Sequence, residues 1–174
     1  MPTSAYLMLS KKSSISGIDA SGVIDLTIGS TTGLSGTLNE LFDAVQPAEA
    51  AAGRTDYRLI LISNTHPSEE FVGLKAYIST QTSSPSTSLE IGLAIKTDSN
   101  TITAITAETT APAGVTFSAA PNLAGAITIG DLPVPIPGSG TNGHTKGLWL
   151  KRIVAAGAAA TANDASVIVI TNAA

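Results

Sequence analysis

The chain has 174 residues, of which only 13% are charged, with a net charge of −4 and no cysteine. That length fits one domain, and an apolar fraction of 43% excludes disorder as the whole answer. The missing cysteines exclude a disulfide framework, a Cys-ligated zinc site and a thiol nucleophile, and the nine scattered basic residues argue against nucleic acid or a membrane as partner.

Residues 1–36 are rich in Ser, Thr and Gly and weakly patterned. They predict an N-terminal arm or peripheral strands, with candidates at 5–10 and 23–29, ahead of a domain spanning 37–174. Leu38, Leu41, Phe42 and Val45 recur at helical spacing after Thr37, which predicts one short helix over 37–45. Pro47 then opens a possible short turn over 48–52, closed by Gly53.

Residues 57–64 (YRLILISN) are apolar on both faces and predict a central strand. In 71–79, Val72, Leu74, Ala76 and Ile78 form the core face of a second strand. In 89–95, Leu89, Ile91, Leu93 and Ile95 point inward. Weaker candidates follow at 101–106, 115–118, 126–129, 147–154 and 166–171. The proline-spaced stretch 131–144 reads as an edge or an exposed loop. Many short strands separated by Gly, Pro and Ser turns predict an all-β fold, an antiparallel β-sandwich of jelly-roll or immunoglobulin-like type with one short helix.

Residues able to carry chemistry are few. His66 and His144 are read as loop histidines without a catalytic role. The run GSGTNG at 138–143 matches a dinucleotide-binding spacing, but prolines precede it and a strand-like segment follows, where that mechanism needs a strand and then a helix start. Glu69 and Glu70 are the only adjacent acids, and Asn163 with Asp164 reads as a hairpin turn before a metal ligand. Trp149, between Leu148 and Leu150, is read as packed inside, and Tyr57, Tyr77 and Phe71 as core or strand-surface residues. Arg54, Arg58 and Arg152 also stand out: Arg58 and Arg152 lie inside predicted strands with apolar neighbours, a setting in which a guanidinium pairs with a carboxylate or lies at an interface, and pairing is the reading taken, with Asp56 and Glu49 near in sequence as partners. No catalytic, cofactor-binding or metal-ligating residue is assigned, and no cofactor.

Three stretches taken together carry a resemblance: LFDAVQPAEAAAGRTDYRLILISNTHP (41–67), ETTAPAGVTFSAAPN with the GAITIGDLP after it (108–133), and GLWLKRIVAAGAAATANDAS (147–166). They resemble a family of small virion proteins of tailed bacteriophages, of the capsid decoration kind. The matching positions are Glu49 to Arg58, Asn64 to His66, Thr110 to Ser118, Trp149 to Arg152 and Gly157 to Asp164. The resemblance spans about 38–171 and departs from the family pattern at the proline-rich 134–137 and the Gly-rich loop.

It implies a structural role rather than an enzyme. The leading expectation is a capsid decoration (cement) protein on the outer surface of the phage head, bound to the major capsid protein and to copies of itself as a homo-oligomer such as a trimer. The alternatives are a tail, baseplate or fibre component, or a receptor- or carbohydrate-binding module. Aromatic content of 4% weighs against a sugar-stacking groove.

Overall fold

The computed structural model describes residues 7–12, 23–27, 41–95, 102, 105–134, 144–161 and 164–172, the first two segments as strand backbone. Its strands are β1 (Leu7–Lys12), β2 (Val23–Thr27), β3 (Arg54–Asn64), β4 (Phe71–Thr80), β5 (Thr87–Leu93), β6 (Ile127–Leu132), β7 (Thr145–Val154) and β8 (Val167–Asn172), with one helix, α1 (Pro47–Ala52). They form two antiparallel sheets, β2-β1-β3-β7-β5 and β6-β4-β8. Among the described residues the fold is all-β and sandwich-like, with a single short α-helix.

The core lies between the sheets. Ile60 and Ile62 of β3, Leu148 and Leu150 of β7 and Leu89 and Ile91 of β5 meet Leu74, Ala76 and Ile78 of β4 and Ile129 and Leu132 of β6. Strand β3 sits in the middle of the larger sheet, and its opposite face is covered as well. There Tyr57 and Leu59 join Trp149, Ala94 and Ile105, with Val115 and Phe117 packed against them. Both faces of β3 are buried, hence its nearly continuous apolar run. The covering layer is irregular chain: of the 101–106 candidate, Ile102 makes an isolated bridge and Ile105 is buried without strand pairing. In 115–118 only Ser118 pairs, bridging Ile91.

Ile95, expected to point inward, lies beyond the end of β5 and is 52% exposed, and two further expectations are corrected. Residues 41–46 are not helical, and the helix lies instead at Pro47–Ala52; residues 37–40 fall outside the described set. Arg58 Nε donates to the carbonyl of Leu41 at 2.9 Å and Arg152 to that of Asp43 at 2.7 Å, so acceptors that a helix would use are taken by side chains from the sheet. Gln46 is extended before Pro47, as a residue preceding proline favours. Its N–H donates to Glu49 Oε2 at 2.9 Å, and Gly53 closes the helix at φ +79°.

The second correction concerns β4. Its alternation holds for Leu74, Ala76 and Ile78 but fails at the start, where Phe71 is buried and Val72 is 55% exposed. The pairing with β6 shifts register between Phe71 and Leu74, and Gly73 there takes φ +64°. A bulge adds a residue and reverses which side chain points inward.

Candidate functional site

Strand geometry assembles the most concentrated polar chemistry of the described residues. Arg54, Asp56 and Arg58 alternate along β3 and share the face that carries Ile60 and Ile62. Arg152 of β7 stands directly opposite Asp56 in the antiparallel register. Its Nη2 and Nε donate to Asp56 Oδ2 at 2.6 and 3.1 Å. Asp56 also accepts from Arg54 Nε, and its carboxylate is fully buried.

The remaining partners come from other segments. Arg54 pairs with Glu49 of α1 and with Glu108, and Arg58 pairs with Glu108 through its other oxygen. Glu108 lies alongside β3 on the side where β1 has stopped pairing; its carbonyl accepts the Tyr57 N–H at 2.7 Å. Asp43 stands 3.8 Å from Arg58 and is largely exposed. Phe42 lies under two guanidinium groups, 4.8 Å from that of Arg152 and 5.6 Å from that of Arg58. Such cation–π contacts are worth about 0.5–2 kcal/mol each. The hydrogen bond from Arg54 to Asp56, against opposing burial and with smaller attraction from Glu108 and Glu49, raises that guanidinium above its ordinary value.

All three arginines of the chain are thus consumed in one cluster that ties α1, the 41–43 segment, β3, β7 and the Glu108 turn together. A guanidinium offers planar donors and no readily released proton, so the arrangement clamps rather than transfers protons. The two partners nearest in sequence, Asp56 and Glu49, are both in the cluster. Glu108 and Phe42 were missed: Glu108 is remote in sequence, and Phe42 fitted a helical spacing.

The other candidates serve structure too. His66 Nδ1 accepts the N–H groups of Ser68 and Glu69 at 3.2 and 2.9 Å, closing the turn after β3. Before it, buried Asn64 directs its amide at the carbonyls of Glu69, Leu132 and Pro133 and accepts from the His66 N–H. His144 contributes its carbonyl to the Asn64 N–H at 2.9 Å. Glu69 and Glu70 are exposed. Trp149 is buried on the outer face of the larger sheet, Phe71 and Tyr57 are buried, and Tyr77 is half-buried. The glycine-rich 138–143 and Asn163 fall outside the described residues.

Asp164 does not turn a hairpin, because β7 and β8 belong to different sheets. It ties the 83–87 turn instead, accepting from the Ser84 N–H at 2.9 Å, from Ser83 Oγ at 3.2 Å and from Thr87 Oγ1. Burial pushes its carboxyl up, but the Thr87 and Ser84 bonds outweigh that and hold it below its ordinary value of 3.8. A groove of about 710 Å³ lies between α1 and the segment after β7, with Val45, Pro47, Ala50, Val154, Ala158 and Asp164 among its lining residues. Among the described residues no group of three His, Cys, Asp or Glu is placed to hold a metal ion.

Comparison of the chain with protein-family models, with curated proteins and with solved structures found no match.

Proposed function

We propose that this chain is a structural protein of a tailed-phage virion. In this reading it is a capsid decoration (cement) protein that binds the outer head surface, touches the major capsid protein and copies of itself, and stabilises the shell. The observation that carries the reading is where the three family-like stretches meet. Glu49, Arg54, Asp56 and Arg58 come from the first, Glu108 from the second and Arg152 from the third, and all six join one ion-paired cluster. Of the six, Glu49, Arg58 and Arg152 stand at positions of the family-like pattern, and the clamp that joins the three stretches is rigid, which suits a module that acts by contact. Weak contacts repeated over a symmetric lattice add up through avidity, and binding to the shell stabilises it by mass action.

The test is stoichiometry. Particles purified from the source lysate are digested, and this chain is quantified against the major shell protein by mass spectrometry with labelled standards. A copy number comparable to that of the shell subunit is the expected result. A few copies per particle would move the chain to the tail, baseplate or a fibre, and absence from the particle would overturn the virion reading.

A further inference from the structure

The edges of the two sheets are guarded unequally. On β5, the Gln81 amide donates to the Leu89 carbonyl at 2.7 Å and accepts from the Leu89 N–H at 3.0 Å. One step along, Ile91 exchanges two bonds of 2.9 Å with Ser118. On β6, the strand is bulged against β4, Gly130 takes φ +83°, Asp131 puts a charge in the strand and Lys146 Nζ donates to the Ile129 carbonyl at 2.9 Å. Strand β2 carries Asp25 at mid-strand. Charges, bulges and capped backbone are the usual means of keeping an edge from pairing with another chain.

Strand β8 carries no charge and no described side chain caps its outer backbone; its one irregularity is a register shift against β4 between Ile78 and Thr80, at the Val167 end. Its sequence is VIVITN, without charge, proline or glycine, and it is the outer strand of the smaller sheet. The phase of its backbone follows from β4. Ile78 gives its N–H to the Ala120 carbonyl at 2.8 Å, away from β8, so its opposite number Ile168 also turns away from β4. The bonded pairs are then Tyr77 with Val169 and Lys75 with Thr171. Ser79 Oγ, donating to the Val167 carbonyl at 3.4 Å, agrees with that phase. Ile168 and Ile170 therefore present N–H and C=O to the open side, where no described residue takes them.

We propose that β8 pairs antiparallel with β8 of a second copy of this chain, across a two-fold axis at Val169. The outward groups are symmetric about that residue. Ile168 then faces Ile170 of the partner subunit and Ile170 faces Ile168 of the partner subunit, so the donors and acceptors of both are satisfied without a register slip. The two three-stranded sheets become one of six strands. Self-pairing is the arrangement that an uncharged strand permits, since a two-fold axis places each charge near its own copy and like charges opposite one another repel. Half-exposed Val167, otherwise left in water, gains a cross-strand neighbour. The inference does not rest on the virion reading, and its test needs no particle.

The full chain is followed by sedimentation equilibrium over a range of concentrations. The expected result is a doubling of the 17.5 kDa mass as concentration rises, together with slowed hydrogen exchange at the Ile168 and Ile170 amides. Val169→Lys and Val169→Glu should each weaken dimerisation at least about tenfold, and an equimolar mixture of the two should restore it. Circular dichroism checks folding; if either Val169 variant unfolds, the double variants Val167→Lys/Thr171→Lys and Val167→Glu/Thr171→Glu, whose charges stand opposite one another in the same register, replace the pair. A wild-type chain that stays at single-chain mass, a trimer, or a dimer indifferent to these charges would overturn the proposal.

Discussion

Asp56 shows how a single side chain holds several segments. It is buried on β3, faces Arg152 on β7 and receives Arg54 as well. A buried ion pair is not strongly favourable against an apolar replacement, but removing one partner leaves uncompensated charge, at about 3–5 kcal/mol. Asp56→Ala should therefore lower the melting temperature by about 6–20 °C, measured by calorimetry. A shift within error would mean that Arg54 and Arg152 find other partners without loss. Asp164 makes a pH-dependent contribution of known sign. Its carboxyl lies below the ordinary value when folded, so the unfolded chain takes up the proton more readily. The stabilisation is present above the unfolded value and disappears as pH falls through the folded one. Asp164→Asn should thus lose stability at neutral pH and lose less than the wild type between neutral pH and about pH 3, read from urea midpoints. Parallel curves would contradict this. The arginine pairing was legible from residue type, because guanidinium groups among apolar strand residues need carboxylates. Glu108 was not, because proximity made by the fold leaves no local signal.

The strands of the sandwich were legible wherever alternation or a two-faced apolar run was strong, as in β3, β4 and β5. Failures came where another element intervened. The 41–45 stretch has helical spacing, yet Leu41 and Phe42 pack on the core while arginines take the Leu41 and Asp43 carbonyls. Val72 matched the core face of β4 by counting, but the bulge at Gly73 turned it out. That glycine is required by its backbone: a side chain at φ +64° costs about 1–2 kcal/mol. Gly73→Ala should destabilise by that amount in urea unfolding, and an unchanged midpoint would mean that the bulge relaxes freely. Gly92 is required for space instead. A Cβ there would stand 2.8 Å from the Thr116 carbonyl and 2.6 Å from Val115 Cγ1. Gly92→Ala should force the covering segment off the larger sheet at about 1–3 kcal/mol. Weakened burial of Trp149 and Tyr57 in its fluorescence spectrum would identify that cause, and a native spectrum would contradict it.

At the scale of the molecule, a low charge content acquires a physical meaning. The arginines are consumed in the cluster between β3, β7 and α1, Lys151 is paired with Glu90 at 2.8 Å, and Lys146 is held by a backbone carbonyl. Among the described residues the exposed charges are mainly carboxylates, such as Asp43, Glu69, Glu70 and Asp131. Fold class was readable from periodicity and turn residues. The site was readable only as pairs, since the clamp exists once strands distant in sequence stand side by side. The measurement that tests the central claim most directly is re-addition. Phage heads assembled without this chain are mixed with the purified protein, sedimented to count bound copies, and heated while genome release is followed. Saturable binding to the head, with release moved to higher temperature, is the predicted result. A chain that stays in the supernatant, or binds without changing release, would contradict a cementing role.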